Sequence, residues 1–287
     1  MVLTYLWRLM NWRDLVLVGF FPTVFLVSCS QYQQVLKSDD FALKFQKAKE
    51  YFDKEDYYRA LPLLEELVTY YKGTKEVQDI YYYYAFTHYY TGEYLVAAYH
   101  FKNFATTYTN DSRAEECLFM NAKCYYVISP NYMLEQSYTE KAQNELALFV
   151  NTYPESRRVA DANQMMDELR MKEEEKSYYA ADLYFNMRKY KAAAIAFEDL
   201  LADFPDSPVA EKISFLILKS YFQYAMNSVE SKQQERYERA LDSYRDFVSR
   251  YPESEFMKDA SQIYEQTNKN LENLNKSETN EQDQAQR

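Results

Sequence analysis

Five times along this chain an alanine is followed, eleven residues later, by an aromatic residue: Ala60 and Tyr71, Ala97 and Tyr108, Ala142 and Tyr153, Ala193 and Phe204, Ala240 and Tyr251. The fourth residue after each alanine is Leu64, Phe101, Leu146, Phe197 or Tyr244, and the seventh is Leu67, Phe104, Phe149, Leu200 or Phe247. Offsets of 0, 4, 7 and 11 trace one face of an α-helix, so each set predicts a helix closed by an aromatic. Three of these aromatics run into Tyr153-Pro154-Glu155-Ser156, Phe204-Pro205-Asp206-Ser207 and Tyr251-Pro252-Glu253-Ser254. Proline ends one helix and serine is suited to cap the next.

A partner helix of similar phase precedes these. Ser38 (followed by Asp39 and Asp40), Thr74, Ser112 and Ser207 open stretches that reach Ala48, Ala85, Ala122 and Leu218. Ser112-Arg113-Ala114-Glu115 also fits a capping box. Small residues facing one another, Ala48 and Ala60, Ala85 and Ala97, Ala181 and Ala193, let paired helices approach closely, and Tyr57, Tyr94 and Tyr190 mark the turns. The unit resembles the tetratricopeptide repeat. It predicts an all-α fold, a tetratricopeptide-like helical solenoid of about five helix pairs with a C-terminal capping helix. Only three glycines occur, too few for the hairpins of a β-sandwich or barrel.

The spacing between B-helix alanines exceeds a plain repeat, and the excess falls in three places. Two loops are expected between helices A and B, one around Ser129-Pro130-Asn131 and one over Asn227 to Glu235. The third insertion lengthens an A helix by about four turns, which keeps its packing phase. One helix from about Val159 to Asn186 is the preferred reading, with a break near Lys172 as the alternative. Past Ser254 a capping helix should run to about Asn270, and the polar stretch 271–287 should be disordered. Pro62, inside the first B helix, predicts a late start or a kink.

Residues 1–28 read as a signal peptide. Arg8 and Arg13 precede an apolar stretch, Leu15 to Val27, too short to span a bilayer. It ends in Leu26-Val27-Ser28-Cys29, which resembles a bacterial lipobox, with cleavage between Ser28 and Cys29 and acylation of Cys29. Residues 29–37 then form a tether, 38–155 the first three repeats, and 156–270 the last two with the capping helix. Cys117 and Cys124, seven apart on a helix, are too distant for a disulfide and read as packing residues.

Net charge is −11 with no basic run, which excludes nucleic acid as a natural partner. His88 and His100 lack a third metal ligand nearby, and no phosphate loop, nucleophile elbow or zinc-protease motif occurs. A binding protein without cofactor, metal or catalytic residues is expected. Tyrosine is the outlier, with 31 copies. In the run Tyr81 to Tyr84, Tyr81, Tyr82 and Tyr89 should face the packing seam, which leaves Tyr83, Tyr84 and His88 as a candidate peptide-binding surface. The plainer reading is that tyrosine replaces leucine in thin repeats.

The lipobox, the Cys-Ser-x-Tyr-x-x-Val-Leu-Lys-Ser tether from Cys29 to Ser38, and the helix pairs punctuated by Tyr-Pro-Glu-Ser together resemble the BamD family, with the stretches Ala97 to Tyr108 and Phe215 to Asn227 the more specific. The resemblance implies an outer-membrane lipoprotein facing the periplasm in the β-barrel assembly machinery of Gram-negative bacteria. It implies N-terminal repeats (Phe41 to Tyr153) that receive unfolded outer membrane proteins. It also implies C-terminal repeats (Pro208 to Tyr264) that dock on the POTRA domains of a BamA-like partner. Two other classes compete: a periplasmic repeat scaffold for cell-wall or division factors of the YbgF type, and a glycan-binding lipoprotein of the SusD type. Both tryptophans, Trp7 and Trp12, lie in the signal, which removes the broadest sugar-stacking side chain from the mature chain.

Overall fold

The computed structural model describes residues 31–285. Residues 31–36 are helical, and eleven further helices follow: α1 (Phe41–Asp53), α2 (Tyr57–Tyr70), α3 (Val77–Tyr90), α4 (Tyr94–Thr107), α5 (Ala114–Ile128), α6 (Ser137–Thr152), α7 (Val159–Asn186), α8 (Tyr190–Asp203), α9 (Ala210–Met226), α10 (Glu230–Arg250) and α11 (Met257–Ala285). No strand occurs among the described residues. The chain divides into two compact units. One runs to Pro130 and includes Gln136–Met166; the other comprises Asn131–Glu135 and the chain from Asp167 onward. In the first, consecutive helices α1 to α6 pack on one another, and in the second α8 to α11 do so.

The alanine spacing is realised at atomic detail. Ala60, Ala97, Ala142, Ala193 and Ala240 are buried, as are the seventh residues Leu67, Phe104, Phe149, Leu200 and Phe247. Each closing aromatic is the C-cap of its helix: the N–H of Tyr71, Tyr108, Tyr153, Phe204 and Tyr251 donates to the carbonyl of that seventh residue. The partner alanines Ala48, Ala85, Ala122 and Ala181 are buried opposite them, and each large apolar side chain buried on this repeated face contributes roughly 1.5 to 3 kcal/mol.

Two turn types alternate. After α1, α3 and α7 the chain makes a Schellman turn: Asp56, Glu93 and Lys189 N–H groups bond the carbonyls of Tyr51, His88 and Tyr184. The residue before each of these has positive φ. It is Gly92 once, at φ 83°, but Glu55 (φ 59°) and Arg188 (φ 58°) in the other two. Between repeats the Tyr-Pro-x-Ser motif forms an i to i+3 turn, with the N–H groups of Ser156, Ser207 and Ser254 on Tyr153, Phe204 and Tyr251 carbonyls. Each serine Oγ then accepts from the N–H two residues on, at Arg158, Val209 and Phe256. Tyr108 to Asp111 makes the same turn without proline, the Asp111 carboxylate taking the place of the hydroxyl.

Several expectations need correction. The first helix is capped by Asp40, whose carboxylate accepts from Leu43 N–H, while the Ser38 hydroxyl accepts from Asp40 N–H. Ser112 caps nothing, because Asp111 already holds the Arg113 N–H. Helix α2 does not start late: it begins at Tyr57, and Pro62 lies on its exposed face, where solvent can satisfy the carbonyl that loses its donor. The expected loop over Asn227 to Glu235 shrinks to residues 227–229, because the glutamates, glutamines and lysine that follow are good helix formers and extend α10 back to Glu230. Residues 159–186 are one helix.

The largest correction concerns the end of the chain. The helix expected to stop near Asn270 continues to Ala285, so 271–285 is not an unstructured tail. Ile263, Leu271 and Leu274 keep a helical stripe and pack on the cluster of Ala194, Tyr221, Phe222, Ala225, Tyr237 and Ala240. Asn270 adds a hydrogen bond of 2.8 Å to the Tyr237 hydroxyl. At the other end the tether is not free from residue 31 on: Tyr32, Val35 and Leu36 pack against the first core cluster.

Candidate functional site

The tyrosine run of α3 is built into two seams rather than one. Tyr81 shares a hydrogen bond of 2.8 Å with His100 Nδ1 and lies parallel to Phe104, and the Tyr82 hydroxyl donates to Glu116 at 2.6 Å. Tyr83 sets its edge on Phe45 and Phe52 of α1, while Tyr84 packs edge-on against His88. Burial pushes the Tyr81 phenol up to about 12 and raises that of Tyr82.

The surface expected from Tyr83, Tyr84 and His88 is therefore not formed. His88 is 6% exposed, its Nδ1 lies 2.5 Å from Glu93 Oε2, and its ring stacks on His100 with centroids 5.3 Å apart. Tyr83 and Tyr84 are half-buried against the first core cluster. Helix α3 packs on both sides, against α2 and α4, and not along a single face. Burial, and secondarily the His88 charge, lowers His100 to about 4. Cys117 and Cys124 are both buried and free, with their thiols pushed up by burial, Cys124 to about 12.

Sequence reasoning missed two buried charges. Lys44, on α1, is buried and reaches both oxygens of Glu66 at 2.7 and 2.6 Å. Glu145, on α6, is buried and accepts from Lys102 at 2.6 Å, Lys141 at 3.0 Å and Asn121 at 2.7 Å. Burial raises its pKa, but the hydrogen bonds from Lys102, Lys141 and Asn121 outweigh it and leave the carboxylate below its ordinary value. These groups join helices: Lys44 of α1 to Glu66 of α2, and Glu145 of α6 to Lys102 of α4 and Asn121 of α5. Among the described residues no cluster of three His, Cys, Asp or Glu side chains is arranged to hold a metal.

The second unit carries an open cleft of about 340 Å³ between α8, α9 and α10. Its floor is Phe247, Ile217 and Leu201, and its rim alternates in sign: Glu198, Arg239, Asp246 and Arg250. Arg239 bonds Glu198 at 2.9 Å, and the Tyr221 hydroxyl donates to the other oxygen of that carboxylate at 2.9 Å. Asp246 and Arg250 are exposed. An apolar floor with fixed charges of both signs at the rim suits a protein surface better than a small metabolite.

Cys29 and Ser28 lie outside the described residues. No helix among those described is long and apolar enough to cross a membrane. The model of a family described as "YfiO: Outer membrane lipoprotein" matches residues 39–235, and a tetratricopeptide repeat model matches residues 221–254. A search of curated proteins returns no match. Among solved structures, the crystal structure of the P58(IPK) TPR domain is similar at 16% identity over 87% of this chain and 68% of that one, with a TM-score of 0.37. The matched span covers both units and most of the helix pairs, and this chain belongs to the YfiO, or BamD-like, family of outer membrane lipoproteins.

Proposed function

We propose that the protein is a lipid-anchored, periplasm-facing scaffold of outer membrane β-barrel assembly, held by acylated Cys29. It binds unfolded outer membrane proteins through its N-terminal repeats and the POTRA domains of a BamA-like partner through its C-terminal repeats. The observation that carries this reading is the outer membrane lipoprotein family match from residue 39 to 235, laid over stacked helix pairs. The cleft of the second unit supports the placement of the partner, because its apolar floor is open and its outer charges, Asp246 and Arg250, are free to meet charges of opposite sign. Action by binding rather than catalysis accords with the chemistry available: the histidines serve packing, and the two described thiols are held protonated in the core.

Affinity purification of the tagged chain from detergent-solubilised outer membranes tests the proposal. Recovery of a POTRA-bearing barrel protein is expected, with loss of that partner when Asp246 and Arg250 are both reversed in charge. Recovery of glycan transporters or peptidoglycan factors in its place would overturn it.

A further inference from the structure

The described chain begins against one particular edge of the first unit. The Tyr32 ring sets its edge on Tyr51 with centroids 5.7 Å apart, and the Arg59 guanidinium lies over the same Tyr51 ring at 5.7 Å. These residues stand at the turn from α1 to α2, and Arg59 is paired there with Asp56. Cys29 precedes Tyr32 by three residues, a reach of about 10 Å for extended chain. Whatever Cys29 carries is thus held close to this turn.

The edge itself is aromatic and open. Tyr57 stacks on Tyr90 at 4.6 Å, Tyr90 is 49% exposed, and Tyr58, next to Tyr57 in the first turn of α2, is 79% exposed. Leu95, 47% exposed, stands two residues before Ala97, as Tyr58 stands two residues before Ala60. The two are therefore at the same register of successive B helices and project from the same edge of the stack. Tyrosine with a polar tip and an apolar ring is the side chain that settles at a membrane–water interface. Around it, Lys54 and Arg59 are outnumbered by Asp53, Glu55, Asp56 and Glu93. Such an edge is repelled by strongly anionic lipid and suits zwitterionic headgroups.

We propose that this turn edge of the first unit rests on a phospholipid surface, with Tyr58, Tyr90 and Leu95 seated among zwitterionic headgroups. It rests on the anchor reading of Cys29 and deepens it: the acyl chains hold the protein to the leaflet, and the aromatic edge sets which face is turned toward it. Because tyrosine rings and a leucine make the contact, it should be insensitive to salt.

The mature chain has no tryptophan, since Trp7 and Trp12 precede Cys29, so Tyr58→Trp and Leu95→Trp each create a single fluorescent reporter at the edge. Tyr70→Trp, at the far end of α2, is the comparison. The acylated full-length mature chain is reconstituted into phosphatidylethanolamine–phosphatidylcholine vesicles, with and without brominated acyl chains. The two edge variants should shift to the blue and lose most of their fluorescence to brominated lipid, at low and high salt alike, while Tyr70→Trp does not. Helical circular dichroism equal to the parent shows that each variant is folded. Flotation with the vesicles but equal quenching at all three positions would overturn the edge contact alone and leave the edge to a protein partner. Failure to float would overturn the anchor and the edge contact with it.

Discussion

Ala193 shows what a single side chain does in this architecture. It is buried in one cluster with Ala181, Phe197, Leu200, Phe204 and Ile213, where its small size lets α8 lie against α7. Ala193→Leu should overpack that contact and lower stability by about 1 to 3 kcal/mol, read as a drop in melting temperature by circular dichroism. An unchanged value would argue that the ruler has been assigned the wrong phase. Glu145 makes a different prediction. Its folded pKa is depressed below the ordinary 4.5, so its contribution is fully present above that value and is lost as pH falls through the folded pKa. Glu145→Gln should therefore cost most at neutral pH, and the gap between parent and variant in urea unfolding should narrow as the pH is lowered below 4.5. A gap independent of pH would assign the loss to packing. The ruler alanines were legible because a small residue recurring at helical spacing has one physical reading. The burial of Lys44, Glu145 and His88 was not: Lys44 meets Glu66, 22 residues on, Glu145 meets Asn121 and Lys102, 24 and 43 residues back, and His88 meets Glu93 only across the turn that follows its helix.

At the level of helices and turns, the three Schellman turns are a natural comparison. Gly92 adopts positive φ without a steric penalty, whereas Arg188 and Glu55 hold the same conformation with a Cβ, at roughly 1 kcal/mol each. Arg188→Gly should raise the unfolding midpoint by a corresponding amount in chemical denaturation, and a lower midpoint would show that the arginine side chain contributes more than its backbone strain costs. Helix α11 carries the second prediction. Its residues past Asn270 belong to the fold through Leu271 and Leu274, so a chain ending at Asn270 should melt earlier than one ending at Asn275. Equal melting would show that the extension packs too weakly to matter. The sequence points to where helices end, because proline and the closing aromatics act locally. It is less informative about where they begin: Asp40 and not Ser38 caps α1, and two leucines in an otherwise polar stretch give no local sign of the cluster that receives them.

For the whole molecule, the proposed anchor at Cys29 would decide where the repeats operate. Cys29→Ala should leave the precursor uncleaved or released from outer-membrane fractions, checked by fractionation and lipid labelling; normal fractionation with a labelled band would refute acylation at this position. Fold class and family were legible from recurring motifs spread along the chain, whereas the open cleft of the second unit was not, since its rim comes from α8 and α10 with no shared motif. The repeat-ending serines have a consequence for how such a protein can be rebuilt. Ser156 donates back to Glu115 and Ser207 back to Glu174, each glutamate lying on the A helix of the repeat that the serine closes. A cassette excised from proline to proline would part each hydroxyl from its carboxylate at both cuts. The transplantable module therefore runs from the A-helix glutamate through the serine, and chimeras spliced just after Ser156 or Ser207 should keep their joints intact.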